Sequence, residues 1–155
     1  MALLGDSFPQ EFTKAFAQQK GLAVGDVIYL LCPFTTPEKL KFLLVACCDP
    51  LLVLVINSEI NEFHATRPQL SACHVELPQV DHDFLDWDSF VNCVEAHAAF
   101  DINNIKQLIL DDYHHIVKGR VADYCLRNVY RAVDGSPTMK RVQKRTILAA
   151  LDAYK

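Results

Sequence analysis

Residues 40–58 read LKFLLVACCDPLLVLVINS, and this stretch decides the fold. Two nearly continuous apolar runs, rich in Val, Ile and Leu, flank the pair Asp49-Pro50. Apolar runs of this length, bounded by a turn signal, predict buried strands. A membrane helix would need about 20 consecutive apolar residues, and the Asp-Pro pair interrupts the run. Asp at the first position and Pro at the second predict a type I turn across Asp49 to Leu52. The stretch therefore reads as a hairpin at the centre of a small, curved sheet.

The flanking sequence extends that sheet. On the N-terminal side, Gly25-Asp26 leads into a strand at Val27–Leu31, and Cys32–Lys39 forms a loop with Pro33 and Pro37. Before it, Ser7 and Gln10 stand at capping-box spacing, so a helix over 7–20 is expected, with Phe8, Phe12 and Phe16 as a packing stripe and Lys20-Gly21 as its end. After the hairpin, Asn57–Pro68 is polar and predicts a solvated excursion. Ala72–Leu77 alternates as a half-buried strand stopped by Pro78. Asp81-His82-Asp83 reads as an acidic surface loop, followed by a strand at Ser89–Val94 and an extended piece over Glu95–Phe100. A helix is expected over Asp101–Asp111 and a second from about Val117, with Val121, Cys125, Val129, Ala132 and Val133 as its apolar face. Asp134-Gly135 breaks it. Ser136-Pro137 starts a last helix with Val142, Ile147, Leu148 and Leu151 inward. Short connections favour antiparallel pairing. The expected architecture is α+β with a mainly β core, in one domain over 1–155: helix 7–20, β-barrel 25–100 and C-terminal helices 101–155.

Charge is segregated along the chain. The 155 residues carry 15 Lys and Arg against 19 Asp and Glu, a formal net charge of −4. Glu76–Asp101 holds seven acidic residues and no Lys or Arg, whereas 136–155 holds five basic residues and one acidic one. The rest of the chain thus has 10 basic residues against 18 acidic. Such a split describes solvated faces or two complementary contact surfaces. The first residues lack a basic start followed by a long apolar core, so a secretory signal is not expected. Six cysteines then read as free thiols rather than a disulfide framework, and the expected compartment is the cytoplasm, with no membrane partner.

From Gly25 to about Val133 the chain resembles the MazF/PemK (Kid/CcdB-like) family of toxin–antitoxin proteins. The resemblance rests on an ordered series: Gly25-Asp26-Val27-Ile28, the run Lys41–Cys47, Val55-Ile56-Asn57-Ser58, His74-Val75-Glu76-Leu77, Leu85–Cys93, and Gly119-Arg120 before a helix. It implies an SH3-like antiparallel β-barrel with C-terminal helices, a homodimer, a cognate antitoxin protein as partner, and metal-independent cleavage of single-stranded RNA. Three features depart from the family's pattern, the first being a short loop, Cys32 to Leu40, without the family's glycines. Lys41-Phe42 stands where the family has Arg-Pro, and Asn57 stands at its catalytic Thr or Ser. Lysine supplies charge without the bidentate fork of guanidinium, and Asn57 offers no hydroxyl.

On that resemblance the catalytic candidates are Lys41, Asn57, Ser58, Glu59 and His64, with Lys39 and Arg67 as RNA contacts. Attack by a 2′-hydroxyl needs a base, donors for the phosphorane charge and an acid. Lys41 takes the charge role and Glu59 or His64 the proton role. Cys47, Cys48, Cys73, His74 and Cys93 have no Cys-x-x-Cys pair, so neither metal nor cofactor is expected. Trp87, with Phe84 and Phe90, sits in the acidic stretch and reads as core or protein contact rather than a base-stacking platform. The competing functions are a non-catalytic barrel that kept the fold and binds a partner, and a toxin that binds gyrase or another target without cutting RNA.

Overall fold

The computed structural model describes residues 21–155. The expected helix over 7–20, with Phe8, Phe12 and Phe16, lies outside them. Six strands form one antiparallel sheet: β1 (Asp26–Cys32), β2 (Lys39–Cys48), β3 (Leu51–Asn57), β4 (His74–Leu77), β5 (Ser89–Asn92) and β6 (Val117–Arg120). Their order across the sheet is β4-β5-β3-β2-β1-β6. Helices α1 (Glu62–Ala65) and α2 (Pro68–Ser71) follow β3, α3 (Ile102–Ile116) precedes β6, and α4 (Asp123–Gly135) and α5 (Arg141–Ala150) close the chain.

The hairpin is the centre of the sheet, and its register explains the unbroken apolar run. Leu43 pairs with Val55, Leu44 with Leu54 and Val45 with Val53. Alternate side chains leave on opposite faces. Leu44, Ala46, Leu52, Leu54 and Ile56 pack in one core with Val27, Val75, Leu77 and Val91, under Cys125, Leu126, Val129 and Val133 of α4 and Ile147 of α5. Leu43, Val45, Val53 and Val55 pack in a second core with Ile28 and Leu30, under Ile105, Ile109 and Tyr113 of α3. A sheet covered on both faces needs apolar residues at every position, not at alternate ones. The turn between these strands differs from the expectation. The Asp49–Pro50 bond is cis and the strands already pair at Cys48–Leu51. Pro50 therefore occupies the third turn position, where type VI turns carry a cis proline, rather than the second position of a type I turn.

Three further expectations are corrected. The strands do not end at residue 100. Glu95–Phe100 contributes only an isolated bridge, His97 to Val53, while the sixth strand is β6, where a helix was expected from Val117. Val117–Arg120 pairs with β1 because β1 is otherwise an edge, and the helix begins only at Asp123. The strand order leaves β4 and β6 as separate edges of a curled sheet. Ser136 does not start the last helix. It is buried, and its hydroxyl donates to the Val94 carbonyl (2.8 Å) and accepts from Met139 N–H (3.2 Å), so α5 begins at Arg141. Ile147 and Leu151 are buried as expected, but Val142 is 72% exposed. All six cysteines are free.

Two contacts fix the helical layer to the sheet. The Arg120 guanidinium donates to the Val24 carbonyl and the Tyr154 hydroxyl, both at 2.8 Å, and pairs with Asp26 at 3.5 Å. Gly25, at φ 99°, lets it approach: a Cβ there would lie 2.8 Å from Arg120 Nη1. The second contact is His82. It is 1% exposed, not the surface histidine expected between Asp81 and Asp83. Its Nδ1–H donates to the Pro78 carbonyl (2.7 Å), and its Nε2 accepts from Ala122 N–H (3.1 Å) at the head of α4. A neutral imidazole with one donor and one acceptor satisfies both partners.

Candidate functional site

At the far end of the hairpin from Pro50, the helical cover stops and a groove of about 580 Å3 opens. Lys41, Asn57, Ser58 and Glu59 all line it, as do Tyr29, Leu40, Phe42, Asn61, Glu62, Asp86 and Trp87. The hairpin register does the gathering. Phe42 pairs with Ile56, so Lys41 stands across from Asn57, and the Lys41 ammonium donates to Asn57 Oδ1 at 2.8 Å. Four of the five catalytic candidates thus share one groove.

Strand alternation divides that groove. Lys41 and Asn57 leave on the side of Leu43 and Val55, while Leu40, Phe42 and Ile56 leave on the other. The Lys41 charge acts on the Cys32 thiol, which belongs to the core beneath α3. Tyr29 and Phe42 are cross-strand partners with ring centroids 4.8 Å apart, on the opposite side. The ammonium and the aromatic wall therefore meet only at the strand ends.

The electrostatics of the lining are uneven. Glu59, Glu62 and Asp86 face a single cation, Lys41. Among the described residues Lys41 makes no ion pair; its partner is a neutral amide. Trp87, the chain's one tryptophan, is 59% exposed on the groove wall. Of its two expected places, core or protein contact, the exposure removes the core. Phe84, by contrast, packs against Phe42 and Gly119, where an added Cβ would fall 2.4 Å from its ring.

The remaining candidates stand elsewhere. His64 Nδ1 lies 3.3 Å from His74 Nε2 and 3.3 Å from Asn61 Nδ2. Arg67 is folded back on α1: its guanidinium donates to the Phe63 carbonyl at 2.8 Å and covers the Phe63 ring at 3.5 Å. Lys39 is exposed at the start of β2, its N–H donating to Thr35 Oγ1. None of these three lines the groove. Tyr29, Glu62, Asp86 and Trp87 are among the lining residues that the RNA-cleavage template did not supply. A signal for Trp87 was present, since a tryptophan between two aspartates fits a core poorly.

Burial pushes the Cys32, Cys48, Cys73, Cys93 and Cys125 thiols up, away from the reactive thiolate. Among the described residues no three or more His, Cys, Asp or Glu side chains converge as metal ligands, and no helix is long and apolar enough to cross a membrane. No protein-family model and no curated protein matches the chain.

Proposed function

We propose that the protein is a binding module built on a MazF/PemK-like SH3-type barrel, whose groove receives an extended, basic segment of a partner protein. The observation that carries this reading is the lining charge: three carboxylates against one ammonium, beside an exposed Trp87. A polyanion meets net repulsion there, whereas Lys or Arg side chains gain carboxylate partners and an aromatic face. A second copy of the chain in a homodimer, or a cognate antitoxin, belongs to the same reading as the source of that segment.

The second reading is the single-stranded RNA endoribonuclease that the family resemblance implies. It is favoured by the Lys41–Asn57 pair, a half-buried ammonium held by a neutral acceptor and so still able to meet a phosphate. In it Lys41 stabilises the phosphorane, Glu59 takes the 2′-hydroxyl proton, Ser58 and Asn57 donate hydrogen bonds, and the leaving 5′-oxygen takes its proton from water as the 2′,3′-cyclic phosphate forms.

Trp87 decides between them, because the sole tryptophan reports groove occupancy directly. An Arg- and Lys-rich peptide is expected to shift its emission, an effect that weakens with salt and in Asp86→Asn and Glu59→Gln. Single-stranded RNA is expected to leave it unchanged and uncut. RNA cleavage that is lost by about a hundredfold in Lys41→Ala would establish the nuclease reading instead.

A further inference from the structure

His64 and His74 come from different elements and lie ten residues apart in sequence, yet their ring nitrogens face each other at 3.3 Å. One hydrogen bond fixes the proton on His74. His74 Nδ1–H donates to the Leu70 carbonyl of α2 at 3.0 Å, so its Nε2 carries a lone pair. Asn61 Oδ1 caps α1 by accepting from the His64 N–H at 2.8 Å, which turns the Asn61 amide NH2 toward His64 Nδ1. His64 Nδ1 thus lies between a donor, the Asn61 amide, and an acceptor, His74 Nε2; the ring–ring contact is satisfied when His64 Nδ1–H donates to His74 Nε2, and a cation bound between the two nitrogens would take the place of that proton, which moves to His64 Nε2.

The spacing fits one class of cation. With metal–nitrogen bonds of about 2.0–2.1 Å, two tetrahedral ligands lie about 3.3–3.4 Å apart. The Leu70 carbonyl does for His74 what a carboxylate or carbonyl does behind most metal-binding histidines, fixing the tautomer and the ring. The exposed residues around His64 on α1 leave an entry path. No other His pair among the described residues offers this. His82 has both nitrogens committed, His97 stacks on Phe34 at 3.9 Å, and His115 pairs with Asp112.

We propose that His64 Nδ1 and His74 Nε2 form a two-histidine site for a borderline divalent transition-metal ion, Zn2+ by preference, with water in the remaining positions. Imidazole nitrogen is a natural donor for Zn2+, Ni2+ and Cu2+ and a poor one for Mg2+ or Ca2+. The ion ties α1 and α2 to the edge strand β4. Because Asn61 and Glu62 also line the groove, it holds one wall of that groove in place.

The test uses the full chain, stripped with chelator and titrated with Zn2+ by calorimetry and thermal unfolding. One equivalent is expected to bind and to raise the melting temperature by about 3–8 °C at saturation. His64→Gln and His74→Gln are expected to weaken binding at least about tenfold, His115→Gln to leave it unchanged, and Mg2+ to give no shift. Should His74→Gln fail to fold, nuclear magnetic resonance of the wild-type histidine rings gives the same answer: Zn2+ must move the His64 and His74 signals and no others. Absence of binding below about 1 mM, retention of Zn2+ by His64→Gln, or unmoved ring signals would each overturn the site.

Discussion

The two ends of the β2–β3 hairpin are made by the same pair of strands and meet opposite surroundings. Near Pro50, Leu43–Val45 and Val53–Val55 are covered on one face by α3 and on the other by α4 and α5. Near Lys39 and Asn57 the cover is gone. Leu40 is 55% exposed, Lys41 and Asn57 are half-buried, and the groove begins. The same antiparallel pairing runs through both ends, with one register shift between Val45 and Cys47. What changes is the layer above and below. A buried strand end can serve only packing, whereas an uncovered one can present backbone and side chains to a partner.

Core substitution should break the buried end most severely. Leu54→Ala removes a side chain with no exposed surface and should cost about 3–5 kcal/mol, measured by urea unfolding. A loss below about 1 kcal/mol would mean that this end is not packed on both faces. Next in size is the clamp that sets the helical layer on the sheet. His82→Ala leaves the Pro78 carbonyl and the Ala122 N–H without partners and should cost about 2–3 kcal/mol. Gly119→Ala should cost about 1–3 kcal/mol, since the new methyl meets the Phe84 ring; Phe84→Ala should relieve that clash in the double variant.

A smaller effect comes from pH. Burial is the largest cause holding His74 and His97 below the ordinary histidine value of 6.5, so the unfolded chain binds protons that the folded chain refuses. Stability should therefore be unaffected by these groups above that value and should fall as pH drops through it. His97→Phe, which keeps the stack on Phe34, should flatten the slope of unfolding free energy between pH 7.5 and 5.5; an unchanged slope would remove His97 from this account. The smallest change is expected at the open end. Leu40→Ser should shift stability by no more than about 0.5 kcal/mol, while altering the Trp87 response to a basic peptide.

The sequence by itself determined the hairpin, the strands near Val27, His74 and Ser89, the free cysteines and the apolar face of α4. Each of these is carried by local signals: unbroken Val, Leu and Ile runs, alternation, and helical spacing of Cys125, Val129 and Val133. The family resemblance named Lys41, Asn57, Ser58 and Glu59 together, but the register that sets Lys41 across from Asn57 came from the pairing at Cys48–Leu51 and the shift between Val45 and Cys47, which the expected turn did not give. Tertiary structure decided the rest. Val117–Arg120 became a strand because β1 offered a free edge, a contact between residues some 90 apart that no local pattern encodes. His82 is buried between two aspartates because α4 docks over it, and Trp87 is exposed because nothing docks over the groove. Burial is set by what covers a residue, and the covering elements here come from distant parts of the chain. The facing of His64 and His74 has the same origin, since α1, α2 and β4 meet only when the chain returns to the sheet edge.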